Sequence, residues 1–136
     1  MKEFFPKPFK DAIIYQDDKL YACLANSPIV NGHVVVVWNK KISDLHLLNR
    51  KDYEYLMDRV NDVRRAMMKT LKVKKVYLLY MDEIKHVHWH LIPRYDKLGI
   101  QNLTGRPGKI KDFTLDNRIK ENLIITTKNK KQISKV

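Results

Sequence analysis

The run Lys85-His86-Val87-His88-Trp89-His90-Leu91-Ile92-Pro93-Arg94-Tyr95 places histidines at three alternate positions. Side chains of an extended chain alternate between faces, so His86, His88 and His90 are predicted to project from one side of a strand. Val87, Trp89 and Leu91 then point the other way, into a core. Imidazole has an unperturbed pKa near ~6.5, so its neutral form, a base and a nucleophile, is available at physiological pH. Such a nitrogen can attack phosphorus, and neighbours spaced ~7 Å along the strand can divide the remaining work: one holds the nucleophile's tautomer, another binds the phosphoryl oxygens or protonates the leaving oxygen. A purely structural row is disfavoured, since each buried nitrogen left without a partner costs roughly 1 to 3 kcal/mol. Zinc is the stronger rival, because a His-x-His pair can ligate it with a third ligand from elsewhere, although no Asp, Glu or Cys stands at an obvious partnering spacing. His33, directly after the Asn31-Gly32 turn signal, is predicted to lie beside the row. His46 reads as surface.

The elements that must hold this row are legible in the pattern. Apolar runs at residues 12–15 and 20–24, separated by a polar turn, predict an antiparallel pair, and the valine-rich run at 33–38 predicts a third strand. Residues 76–80 and 86–93 predict two more, the last ending at Pro93, which has no N–H to donate. Between them, Asn49 is a candidate cap for a long helix in which Tyr53, Leu56, Val60, Val63, Met67 and Leu71 recur at steps of three or four. Lys51, Asp52, Asp58, Arg59, Asp62, Arg64 and Lys69 are predicted mostly on the opposite, solvent side. Gly99, Gly105, Pro107 and Gly108 break any period, so residues 95–111 are predicted as loop, and Leu115, Ile119 and Leu123 predict a short second helix. The lysine-rich tail from Thr126 is expected to be mobile.

At 136 residues with 44% hydrophobic side chains, the chain is predicted to fold around one core. Cys23, the single cysteine, can form no internal disulfide and supports no common structural zinc pattern, which suits a reducing compartment. The longest purely apolar stretch, residues 34–38, is far short of the ~20 residues that span a bilayer, and the opening Met1 to Lys10 lacks the apolar segment of a secretory signal. A cytoplasmic location is expected. The formal charge is +12, and residues 97–136 hold ten Lys or Arg against three acids. That excess suits either an anionic partner, such as a phosphorylated small molecule or a nucleic acid, or a solvated basic face.

The alternation His86-Val87-His88-Trp89-His90-Leu91-Ile92 followed by Pro93-Arg94-Tyr95 resembles the signature of the histidine triad (HIT) family of nucleotide hydrolases and transferases. Asn26-Ser27-Pro28, Asn31-Gly32-His33 with the valine strand, and Ser43-Asp44-Leu45 ahead of the helix are similar to that family's first half. The likeness runs from Ile13 to Tyr95, 83 of 136 residues. It implies an α+β fold, a five-stranded antiparallel sheet carrying one long helix and, in this chain, a short C-terminal helix, with two protomers pairing into a larger sheet. It also implies that His88 is the nucleophile, flanked by His86 and His90 and completed by His33, and that Asn26 holds the ribose. The Pro-Arg-Tyr ending is more similar to the dinucleoside polyphosphate hydrolase branch. Two departures stand out. Met81-Asp82-Glu83-Ile84-Lys85 replaces the family's glycine, glutamine and serine or threonine, and acids there would repel a polyphosphate if they faced it. The paired N-terminal cysteines of zinc-binding relatives are missing.

The expectation is a HIT-like catalytic domain over residues 1–95 and a basic extension over 96–136. The chain is expected to be a metal-independent, cofactor-free hydrolase or nucleotidyltransferase. It would cleave a phosphoanhydride or phosphoramidate bond of a nucleoside phosphate conjugate, diadenosine tetraphosphate-like compounds included, through a nucleotidyl-histidine. The expected partners are that substrate and a second copy of the chain, with nucleic acid as a further partner for the basic segment, and no membrane. A zinc hydrolase and a basic nucleic-acid binding module are the alternatives. Phe4, Phe5, Phe9 and Tyr15 are read as core or dimer contacts in preference to base-stacking rings.

Overall fold

The structure, a computed structural model, describes residues 6–127 and the backbone of 132–135. Phe4, Phe5, Lys128, Lys130 and Lys131 lie outside the described residues. The strands are β1 (Ile13–Gln16), β2 (Leu20–Leu24), β3 (Val34–Trp38), β4 (Val76–Leu79), β5 (His88–Pro93), β6 (Ile124–Thr126) and β7 (Gln132–Lys135); the helices are α1 (Arg50–Leu71), α2 (Ile100–Leu103) and α3 (Leu115–Glu121). Strands β1 to β5 form one antiparallel sheet in the order β1-β2-β3-β5-β4, and β6 pairs with β7. The α+β class and the five-stranded sheet are as the sequence predicts.

Local chemistry accounts for the elements. The β1–β2 turn is closed by the Asp17 carboxylate, which accepts the N–H groups of Lys19 at 2.8 Å and Leu20 at 2.9 Å. Asn49 caps α1 by accepting the Asp52 N–H at 2.8 Å, and the helix ends where Lys72 turns left-handed at φ 56°. The apolar stripe of α1, with Leu56, Val60, Val63 and Met67 buried, covers one face of the sheet, formed by Ile14, Leu20, Ala22, Leu24, Val34, Val36 and Leu91. Alternation sends the intervening residues to the other face, where Tyr21, Cys23, Ala25, Val35 and Val37 form a second, small cluster.

The register decides what shares that face. Val35 lies opposite both Cys23 and His90, and Val37 lies opposite both Tyr21 and His88. His88 and His90 therefore rise from a floor of small apolar side chains.

Several expectations are corrected. Arg59 and Asp62 are buried at 5% and 1% exposure instead of facing solvent, because the chain's end returns across α1. Asp62 accepts Arg59 Nε at 3.0 Å, an Arg65 guanidinium N–H at 2.7 Å and the Thr126 N–H at 2.9 Å, and it also binds the Thr126 hydroxyl. The Arg59 guanidinium in turn reaches the Thr126 carbonyl. Thr126, placed by the sequence at the start of a mobile tail, is thus the point where β6 is fastened to α1. Residues 95–111 include the short helix α2, held by Asn102 donating to the Pro93 carbonyl at 3.3 Å. Leu115, Ile119 and Leu123 are buried in the same core as α1. Phe9 is half exposed and meets Phe113 edge-on, whereas Tyr15 donates to Asp17 at 2.8 Å.

Candidate active site

A cleft of about 330 Å³ opens on the face of the sheet opposite α1, within the size range of small-ligand sites. His33, His88, His90 and Asn26 all line it, over a floor of Cys23, Ala25 and Val35. All four are polar residues that the sequence marks as candidates, and the fold brings them together from the residue before β3, from β5 and from the loop after β2. His86 does not line the cleft. Strand β5 begins only at His88, after a turn over 82–85 in which Lys85 takes φ 59°. The chain bend carries the His86 ring to the Trp38 carbonyl, 2.5 Å from its Nε2, and leaves it buried. Of the three rings of the row, His88 and His90 line the cleft and His86 does not.

Backbone groups fix the tautomers. A carbonyl can only accept, so the 2.7 Å contact between His88 Nδ1 and the His86 carbonyl places a proton on Nδ1 and leaves the Nε2 of neutral His88 as a lone pair. His33 is set in the opposite sense: its Nδ1 accepts the Ile29 N–H at 3.2 Å, so its Nε2 carries the proton and donates to His90 Nδ1 at 2.9 Å. His90 must then carry its own proton on Nε2. The three rings are contiguous, with centroids 5.1 Å apart for His33 and His90 and 4.9 Å for His88 and His90.

Neutrality of these rings follows from burial. Desolvation, followed by repulsion from His90, pushes His33 down to about 3, and desolvation with His88 as neighbour pushes His90 down to about 4. Burial lowers His88 as well, against an opposing pull from the His86 carbonyl. Neutral rings at physiological pH place a lone pair on His88 Nε2 and an N–H on His90 Nε2. Nucleophilic attack at an electrophilic centre, with a donor aimed at developing negative charge, is the chemistry this pair can do.

Other lining residues carry weaker sequence signals. Pro6 and Pro8 wall the mouth, and Met81, Glu83 and Ile84 come from the segment that departs from the family pattern. Turning of that segment leaves Asp82 outside the lining, while Glu83 stays at the mouth, exposed, with no Lys or Arg side chain among the described lining residues. Asn26 donates to the Lys7 carbonyl at 3.0 Å, tying the N-terminal segment over the cleft. The lining contribution of Cys23 and Val35 follows from register; the Cys23 thiol is pushed up to about 12 by burial and stays protonated. Among the described residues, no three His, Cys, Asp or Glu side chains converge as a metal site, and no helix is long and apolar enough to cross a membrane. His46 is exposed, with its ring 2.9 Å from Asp44.

The model of the HIT domain matches residues 7–97. A 13.1 kDa HIT-like protein of Mesomycoplasma hyorhinis is 31% identical over 91 residues, which span 62% of this chain and 82% of that protein. Among solved structures, a histidine triad protein of Sinorhizobium meliloti superposes with a TM-score of 0.70 at 19% identity, covering 82% of this chain and 89% of that one. A hypothetical histidine triad nucleotide-binding protein of Sulfolobus tokodaii gives 0.68 at 22% identity over 82% of each chain. A zinc-bound histidine triad family protein of Mycobacterium smegmatis gives 0.64 at 20% identity, covering 79% and 82%.

Proposed function

This chain belongs to the HIT family, whose members are nucleotide-binding hydrolases and transferases, and on that premise we propose that it cleaves a phosphoanhydride or phosphoramidate bond of a nucleoside phosphate conjugate through a covalent nucleotidyl-His88 intermediate. The observation that carries the reading is the hydrogen bond from His88 Nδ1 to the His86 carbonyl, which puts the ring's proton on Nδ1 and its lone pair on Nε2, in a residue that lines the cleft.

In the first step, His88 Nε2 attacks the α-phosphorus, an N–P bond forms, and the bond to the leaving group breaks, with the electron pair departing on that group. The ring becomes an N-phosphoryl imidazolium, whose remaining proton on Nδ1 stays bonded to the His86 carbonyl. His90 donates its Nε2–H to the phosphoryl oxygens as charge builds on them, and His33 holds His90 in that tautomer. In the second step water attacks phosphorus, the N–P bond breaks, its electrons return to His88, and one proton passes to solvent. No step draws on a metal. The facing nitrogens of His33 and His90 are occupied with each other, which disfavours the zinc hydrolase reading.

Asn26, at the cleft edge, is assigned to the ribose, and the apolar floor of Cys23, Ala25 and Val35 suits an uncharged ring. The reading includes a homodimer, for which the edge strand β4 with its exposed Leu78 is the suitable surface, and a cytoplasmic setting that keeps Cys23 reduced. The exposed Lys97, Arg106, Lys109, Lys111 and Lys120 support long-range attraction of anions, nucleic acid included.

The test is a panel of nucleotide conjugates assayed for released monophosphate, with and without chelator, on the wild type and on His88→Ala and His88→Asn. Turnover should vanish in both variants with the fold intact, chelator should have no effect, and a trapped nucleotidyl adduct should map to His88. Retained turnover in the variants refutes the role.

A further inference from the structure

The stretch matched by the HIT model ends at residue 97, yet the chain beyond it reaches the candidate site. We propose that residues 104–110 position the His33–His90 pair by clamping the loop at residues 27–31, with Gly105 as the positioning residue. The proposal rests on the functional reading above for the role of the pair, and on separate geometry for the clamp.

Gly105 lies so close to Ile29 that a Cβ added there would overlap the Ile29 carbonyl oxygen and stand 3.3 Å from its carbonyl carbon. The obstacle is backbone, so the loop itself would have to move. Gly108 makes a second tie, its N–H donating to the Pro28 carbonyl at 2.8 Å. Behind these contacts, Ile110 and Leu115 close on Pro28 and His33 around a void of only about 10 Å³, at the lower limit for holding a water. His33 is consequently 5% exposed.

The clamped loop carries the group that decides the site's tautomers. The Ile29 N–H donates to His33 Nδ1 at 3.2 Å, and this bond is what places the His33 proton on Nε2, facing His90 Nδ1 at 2.9 Å. Displacing Ile29 frees His33 to take the other tautomer. Two lone pairs would then face each other across the pair, and His90 would lose the contact that keeps its own proton on the cleft side. The segment outside the matched stretch therefore acts on the chemistry through one backbone N–H, touching no substrate.

The experiment compares the full-length wild type with Gly105→Ala, Gly108→Ala and Gly108→Pro, each labelled with 15N-histidine. Ring-nitrogen resonances are read by NMR, kcat and KM are measured on the best conjugate of the panel, and circular dichroism checks the fold. Gly105→Ala should move the His33 and His90 resonances and lower kcat about 10- to 100-fold, with KM changed less than about twofold. Gly108→Ala, whose Cβ would lie an ordinary 3.8 Å from the Pro28 oxygen and which keeps the N–H, should change neither. Gly108→Pro removes that N–H and sets the proline ring against the Pro28 carbonyl, so the second tie is lost. It should move the same resonances, and it carries the test if Gly105→Ala does not fold. Unmoved resonances in folded variants, or moved resonances with kcat intact, overturn the proposal. The NMR comparison needs no substrate, so inactivity of the wild type on the whole panel would sink the functional reading and still leave the clamp decided.

Discussion

His33 and His90, 57 positions apart in the chain, face each other at 2.9 Å, Nε2 to Nδ1, and His33 fixes where the proton of His90 sits. The pair is a one-way arrangement: Ile29 supplies a hydrogen bond at one end, and an N–H emerges from His90 Nε2 at the other. Four predictions follow from this geometry and from the network that supports it.

His90→Ala removes the donor proposed to meet the phosphoryl oxygens. Its kcat should fall by about 10²- to 10³-fold, as for loss of one oriented donor, with KM little altered. Steady-state kinetics on the conjugate cleaved best by the wild type decides it; a loss expressed mainly in KM would mean that His90 binds the ground state.

The buried histidines make stability depend on pH. His33 sits at about 3 and His90 at about 4 in the folded chain, against a reference of 6.5. Below the reference value the unfolded chain takes up protons that the folded chain refuses. Stability should therefore be full above about pH 7 and fall as pH drops from 6.5 toward 4. Each histidine contributes about a tenfold loss in the folding constant per pH unit. Urea unfolding midpoints from pH 8 to pH 4.5 should show the fall, and His33→Gln with His90→Gln should flatten it. A double variant as steep as the wild type would assign the acid sensitivity to other groups.

Asp62→Ala leaves Arg59 buried without its carboxylate and cuts the anchor of Thr126. Breaking one side of a buried pair costs about 3 to 5 kcal/mol, and the Thr126 amide should lose protection from hydrogen exchange sooner than the β3 amides. A loss under about 1 kcal/mol would show that the ribbon contributes little to holding α1.

Glu83→Gln should favour conjugates whose leaving group carries several negative charges. Among the described lining residues Glu83 is the carboxylate and no Lys or Arg offsets it, so its removal should lower KM several-fold for polyphosphate leaving groups and little for neutral ones. The difference should shrink with added salt, because an exposed charge is screened over about 8 Å at physiological ionic strength. Equal effects on both substrate kinds would remove Glu83 from specificity.

The positions of His88 and His90 were legible because alternation is a local property: two residues per repeat put both rings on the face opposite Trp89 and Leu91 wherever the strand lies. The same rule could not tell that His86 stops short of the cleft, at the Trp38 carbonyl, because the turn at 82–85 with Lys85 left-handed is not encoded by a glycine. Arg59 and Asp62 looked like a solvent face because the periodicity of α1 says which side meets the sheet and nothing about a distant segment returning over the other side.

What the sequence determined by itself is the part set by neighbours a few residues apart: the strands, the capped helix, the histidine row and the excess of basic residues. Tertiary structure alone decided which nitrogen carries each proton, which carboxylate reaches the cleft and which charges are buried. Hydrogen bonding and desolvation depend on atoms brought close from far along the chain, and pattern at short range holds no record of them.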